Sequence, residues 1–235
     1  MTITLSRRLT AEFLGTAFLV AAVVGSGIMA ERLANGNIAL ALLANTIATG
    51  AALVALILTF GPISGAHLNP AVTLADAIES GLSWGQASQY VLVQILGGVV
   101  GSVAAHLMFG LPAVFLSHHT RRGAGQFLSE CVATFGLLSV IWGCSRMRSN
   151  VVPFAVAAYI TSAYWFTAST SFANPAVTIA RSLSDTFAGI RPADVPLFVI
   201  AQLAGAVGAT VLFRWLLPGL PSATKEILVA HRNDL

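Results

Sequence analysis

The sequence predicts an all-α membrane protein, with six transmembrane helices and two re-entrant half-helices arranged as an inverted repeat. Three observations lead there. The chain of 235 residues is 56% hydrophobic and only 9% charged, where a soluble domain carries about 25% charge. Its apolar residues gather into long stretches, each near the roughly 20 residues that a helix needs to cross a bilayer core. One pentapeptide, Asn-Pro-Ala-Val-Thr, is written twice, at residues 69–73 and 174–178, each time opening a stretch too short to cross.

The spans are predicted at residues 10–29, 38–60, 86–108, 127–143, 151–167 and 196–217. The first follows Arg7 and Arg8 and holds one acid, Glu12. It is too long for the apolar core of a signal peptide and suits a span. Arg121 and Arg122 separate the third span from the fourth, Arg146 and Arg148 the fourth from the fifth, and Arg214, Lys225 and Arg232 close the chain. A small Lys/Arg excess on one side places both termini in the cytoplasm. A net charge of +3 is too small to suggest nucleic acid as a partner. Cys131 and Cys144 have neither metal-ligand nor CxxC spacing and read as buried thiols.

The halves repeat, about 9–110 against 126–217, within a single channel domain covering residues 1–235. Ala11-Glu12-Phe13 opens the first half and Ser129-Glu130-Cys131 the second. Gln94, Gly97 and Gly101 in the third span match Gln202, Gly205 and Ala209 in the sixth. Three spans per half is an odd number, so the halves are inverted across the bilayer, as in many transport proteins. Small residues four apart let the helices approach closely.

Each short stretch opens with Asn and Pro, which suit the N-cap and the first helical position. The stretches 69–79 and 174–185 would each give about 17 Å of helix at 1.5 Å per residue. Two such half-helices entering from opposite faces would meet tip to tip and act as a seventh, broken span. The runs before them, 61–68 and 168–173, are expected to be non-helical, with Gly61-Pro62 ending the second span. Irregular backbone at membrane depth is tolerated where it is buried in protein or lines water, so these runs read as the wall of a pore.

The run Ser64-Gly65-Ala66-His67-Leu68-Asn69-Pro70-Ala71-Val72-Thr73, with the second box Asn174-Pro175-Ala176, resembles the signature of the major intrinsic protein family, the aquaporins and aquaglyceroporins. The resemblance extends from about residue 9 to 217. It implies a homotetramer in the inner (plasma) membrane with one pore per subunit, no cofactor and no metal. It also implies a four-position constriction, carried over by offset from the boxes to Thr49, Ser162, Ser171 and Val177. Most family members have Arg where this chain has Val177. All four residues are small and uncharged, so the filter is expected to be wide and half apolar. That set, and the run 164–174, resemble the arsenite-permeable bacterial branch. The implied solutes are As(OH)3 and methylated relatives, with glycerol and water beside them.

Other readings stand against these. Asn69 and Asn174 could be simple caps, but capping does not explain a matched pair. Glu12 and Glu130 read as acceptors for the loop N–H groups, as against a proton relay. His67 is placed with them as loop support or at the cytoplasmic mouth, and His106 as packed within its span. His118, His119 and His231 are placed in loop or tail. Arg181 is placed in the outer vestibule, either paired with Asp185 at i+4 or standing in for the missing filter Arg. Trp84, Tyr90, Trp142, Tyr164, Trp165 and Trp215 read as interfacial anchors. The functional alternatives are a glycerol, urea and water channel with no arsenic role, and an inverted-repeat secondary transporter. No nucleophile, base and metal constellation suggests an enzyme.

Overall fold

In the computed structural model, which describes residues 3–147 and 149–217, eight α-helices account for both halves. The first half comprises α1 (Leu5–Leu33), α2 (Ile38–Ser64), α3 (Pro70–Ile78) and α4 (Trp84–Met108). The second comprises α5 (Ala124–Met147), α6 (Val152–Phe166), α7 (Pro175–Arg181) and α8 (Val195–Leu216). Arg148, Lys225, His231 and Arg232 lie outside the described residues.

Among the described residues five helices are long and apolar enough to cross a bilayer, and α6, also apolar, is shorter at 15 residues. At 1.5 Å per residue α6 reaches about 23 Å, somewhat less than a hydrocarbon core. A 3-10 turn at Ser149–Val151 leads into it.

Packing follows the repeat. Helix α1 lies against α4 and α2, as α5 lies against α8 and α6. The halves join through α2 and α6, and each short helix packs against both α4 and α8. The α1–α4 crossing depends on Gly97 and Gly101, where a Cβ would run into the carbonyl oxygens of Phe13 and Ala17. Gly205 does the same at the α5–α8 crossing, against the Cys131 carbonyl. Backbone-to-backbone contact of this kind is how helices associate where apolar burial gives no preference over lipid.

Three local expectations need correction. Pro62 does not end α2, which runs on to Ser64 and stops at Gly65, a left-handed cap with φ 89°. A proline close to a helix end removes few bonds, and only the αL residue terminates the chain of i−4 contacts. The second half-helix is 7 residues long and ends at Arg181, short of Asp185. Among the proposed anchors, Trp84, Trp165 and Trp215 are exposed, but Tyr90, Trp142 and Tyr164 are buried. Tyr90 donates to the Ser64 carbonyl at 3.0 Å and Trp142 donates to Thr210 at 3.3 Å. Cys131 and Cys144 are free and half-buried.

Candidate functional site

The two boxes meet at the centre of the molecule. Asn69 caps α3, its Oδ1 accepting from the Ala71 N–H at 2.9 Å. Asn174 caps α7, accepting from Ala176 at 3.0 Å and Val177 at 3.3 Å. Each side-chain amide then donates across to the other loop: Asn69 Nδ2 to the Ala173 carbonyl and Asn174 Nδ2 to the Leu68 carbonyl, both at 2.8 Å. One amide hydrogen of each Asn ties the half-helices together. Pro70 and Pro175 hold the first helical positions, where a missing N–H costs nothing. Ala71 and Ala176 are fully buried, leaving no room for larger side chains at the tips.

The loops before the boxes share an unusual backbone. Ala66 and Leu68 have φ of 46° and 48°, and their counterparts Ser171 and Ala173 have 50° and 48°. Left-handed non-glycine residues cost about 1–3 kcal/mol each and persist only where the surroundings over-determine them. Two buried carboxylates do so here. Glu12 accepts from the N–H groups of His67 at 3.0 Å and Leu68 at 2.7 Å, and from Ser64 and Gln94. Glu130 accepts from Phe172 and Ala173, each at 2.9 Å, and from Gln202 at 2.6 Å. Gln94 and Gln202 also donate to Thr73 and Thr178, whose hydroxyls return to the carbonyls of Asn69 and Asn174. The matched glutamates, glutamines and threonines thus form one network written twice.

Both asparagines line one cavity. Much of its lining is apolar, with Leu53, Ile57, Val72, Ile141 and Val177 among the residues. The lining also carries polar groups: Thr49, Tyr164, Ser171, His67 and the box asparagines. Thr49 and Tyr164 place their hydroxyls 3.3 Å apart. Ser171 is 2% exposed and its hydroxyl has no protein partner. His67 lies in the wall with Nδ1 3.2 Å from Thr73 Oγ. The Thr73 hydrogen is already given to Asn69, so His67 Nδ1 is the donor; its Nε2 lies 3.8 Å from Asp76.

Two expected positions differ. Ser162 is on the outer, exposed face of α6, bonded back to the Tyr159 carbonyl at 2.7 Å, and is not in the cavity wall. Tyr164 takes its place, in line with Val156 and Ile160 at the four-residue spacing of one helix face. Arg181 does not pair with Asp185. It is buried in the cavity wall, its Nε donating to the Ala188 carbonyl. Asp185 turns away to His118, accepting from its N–H at 2.8 Å and lying 2.9 Å from its Nδ1. Those bonds, the backbone N–H first, hold the Asp185 carboxyl below the usual carboxylate range. His106 is buried between the Ala113 carbonyl and Ser184.

The segment 109–123 is tied to residues 182–191 as a strap. Phe115 forms a parallel bridge with Ser184, and Ser117 N–H donates to the Ser182 carbonyl at 3.0 Å. Arg121 donates to the carbonyls of Gly189 and Ser169 at 2.8 and 3.0 Å.

Known proteins share this fold. The major intrinsic protein family matches at residues 1–167 and 145–234. The aquaglyceroporin AqpS of Rhizobium meliloti is 57% identical over 91% of this chain and 91% of its own. A probable aquaporin, AqpM, of Archaeoglobus fulgidus is 32% identical over 92% and 99%. The crystal structure of the aquaglyceroporin from Plasmodium falciparum superposes with a TM-score of 0.68 over 93% of this chain and 99% of its own, at 19% identity. The chain therefore belongs to the major intrinsic protein family, as an integral membrane channel of the aquaglyceroporin kind and not an enzyme.

Proposed function

We propose that this channel passes As(OH)3 and methylated trivalent arsenicals by passive diffusion, with glycerol and water as co-permeants. The observation that carries the reading is the mixed lining of the cavity that holds Val177. The hydroxyl-bearing Thr49, Tyr164 and Ser171 line the same cavity as the aliphatic Leu53, Ile57, Val72 and Val177. A neutral trihydroxy solute presents both kinds of surface. An unpaired hydroxyl would cost about 1–3 kcal/mol on leaving water, and the Thr49 and Tyr164 hydroxyls and the box amides line the cavity as its partners. Val177 and its neighbours contact the rest.

In this reading Asn69 and Asn174 form the central polar station, and the two converging half-helix N-termini, about +0.5 charge each, repel cations there. Glu12 and Glu130 support the loops, with His67 bracing the first. The protein works as a homotetramer in the inner membrane, one pore per subunit, with both termini cytoplasmic. As(OH)3 uptake by cells lacking other aquaglyceroporins, alone and with excess glycerol, tests the solute. Uptake that glycerol competes down supports the reading. Glycerol flux without arsenite flux leaves a general aquaglyceroporin.

A further inference from the structure

Arg181 does not pair with Asp185, and its charge lies instead in the cavity wall. It is 2% exposed and forms no ion pair with any described residue. Its Nε is taken by the Ala188 carbonyl. Of its five donors, the four on the terminal nitrogens have no protein acceptor, and neither nitrogen is sealed from the cavity. Arg181 comes one turn after Val177 on α7, and both are in the cavity wall. Long side chains on a helix lean toward its N-terminus, so this one leans back over Val177. Its guanidinium carbon lies 3.3 Å from the centre of the Phe172 ring, two residues before the box. Tyr164 and Ser171 share that cavity.

We infer that Arg181 is a specificity-determining residue of this pore, reaching the level that Val177 leaves uncharged. Its free donors take the hydroxyl oxygens of passing neutral solutes, and its charge turns away small cations. Phe172 is the positioning residue, since its ring face, together with the Ala188 carbonyl, fixes the guanidinium at the wall. The width left by Val177 and the charge supplied by Arg181 are thus separate. A bulky neutral solute passes where a small cation does not. This inference rests on the channel reading but not on arsenic as the solute.

Purified protein in planar bilayers and in liposomes provides the test, with methylammonium current and water flux measured together. Arg181→Leu raises methylammonium current by about tenfold or more, as expected for removing a unit charge a few ångströms from the path, while water flux persists. Arg181→Lys keeps cations out. Phe172→Leu leaks to an intermediate degree, because the guanidinium is present but loosely held. Unchanged methylammonium exclusion in Arg181→Leu, with intact water flux, overturns the inference. Absence of water and glycerol flux in the wild type defeats the channel reading instead. If Arg181→Leu does not fold, Arg181→Cys in a Cys131→Ala, Cys144→Ala background takes its place. A cationic methanethiosulfonate added outside restores exclusion by restoring the charge; labelling that leaves the leak unchanged is equally fatal.

Discussion

Replacing Glu12 by Gln removes the anchor of the first re-entrant loop, and the structure sets the size of the effect. The carboxylate has two donors on each oxygen: Ser64 at 2.6 Å and His67 N–H at 3.0 Å on Oε1, Leu68 N–H at 2.7 Å and Gln94 at 2.8 Å on Oε2. A carboxamide keeps one acceptor oxygen and turns an NH2 toward the other pair of donors. Two bonds are lost, and two buried donors face a third. At about 1–3 kcal/mol for each buried donor left unpaired, the loss is about 2–6 kcal/mol. That is a large part of the roughly 5–15 kcal/mol by which folded domains exceed their unfolded states. The left-handed residues Ala66 and Leu68 lose the contact that holds them. Glu130→Gln has the same logic through Phe172, Ala173 and Gln202. The assay is melting of detergent-solubilised protein followed by size exclusion, with solute flux per folded molecule measured alongside. Both variants should melt lower and yield less, and the surviving channels should keep wild-type selectivity. Normal yield and melting, with the pH dependence of transport altered, would refute loop support and favour a proton relay.

Three further outcomes follow from other parts of the molecule. Val177→Arg brings a second guanidinium and its bulk to the lumen, so glycerol and arsenite flux should fall severalfold more than water flux in stopped-flow measurements; equal flux for all three would remove Val177 from the constriction. Gly205→Ala should lower the melting point through overpacking of about 1–3 kcal/mol, because its Cβ meets backbone at Cys131, whereas Gly208→Ala, which meets only the Phe135 ring at 3.5 Å, should be tolerated. Asp185→Asn should speed hydrogen exchange across residues 109–123. The folded Asp185 pKa lies below its ordinary value, so its contribution is complete above the unfolded value of about 3.9 and disappears as pH falls through the lower folded value; protection by Asp185 lost already near pH 6 would contradict this.

The repeated boxes, Glu12 with Glu130 and Gln94 with Gln202 were legible in the sequence because each occurs twice at matching positions, and a network built by inverted repetition leaves that trace. The constriction was less so. Ser162 was placed by counting back twelve positions from Asn174, across a loop in which Thr170, Ser171 and Ala173 are left-handed. Nothing in that count reports the rotation of α6, and two residues on a helix, about 200° at 3.6 per turn, separate its outer face from Tyr164 in the lumen. The Arg181–Asp185 pair assumed a helix through both residues, but α7 stops at Arg181. The strap at 109–123 leaves no trace in the sequence because its bonds are backbone and loop contacts with no period, joining Phe115 and Ser117 to residues some 65 positions later.

The most direct measurement is arsenic entry into liposomes that carry the purified protein, with As(OH)3 outside and no ion gradient. The expected result is rapid entry that rises linearly with concentration, stops when inside and outside are equal, and does not change when a proton or sodium gradient is imposed. Accumulation above the external concentration under a gradient, or entry no faster than in protein-free liposomes while glycerol still passes, would contradict a passive path for this solute.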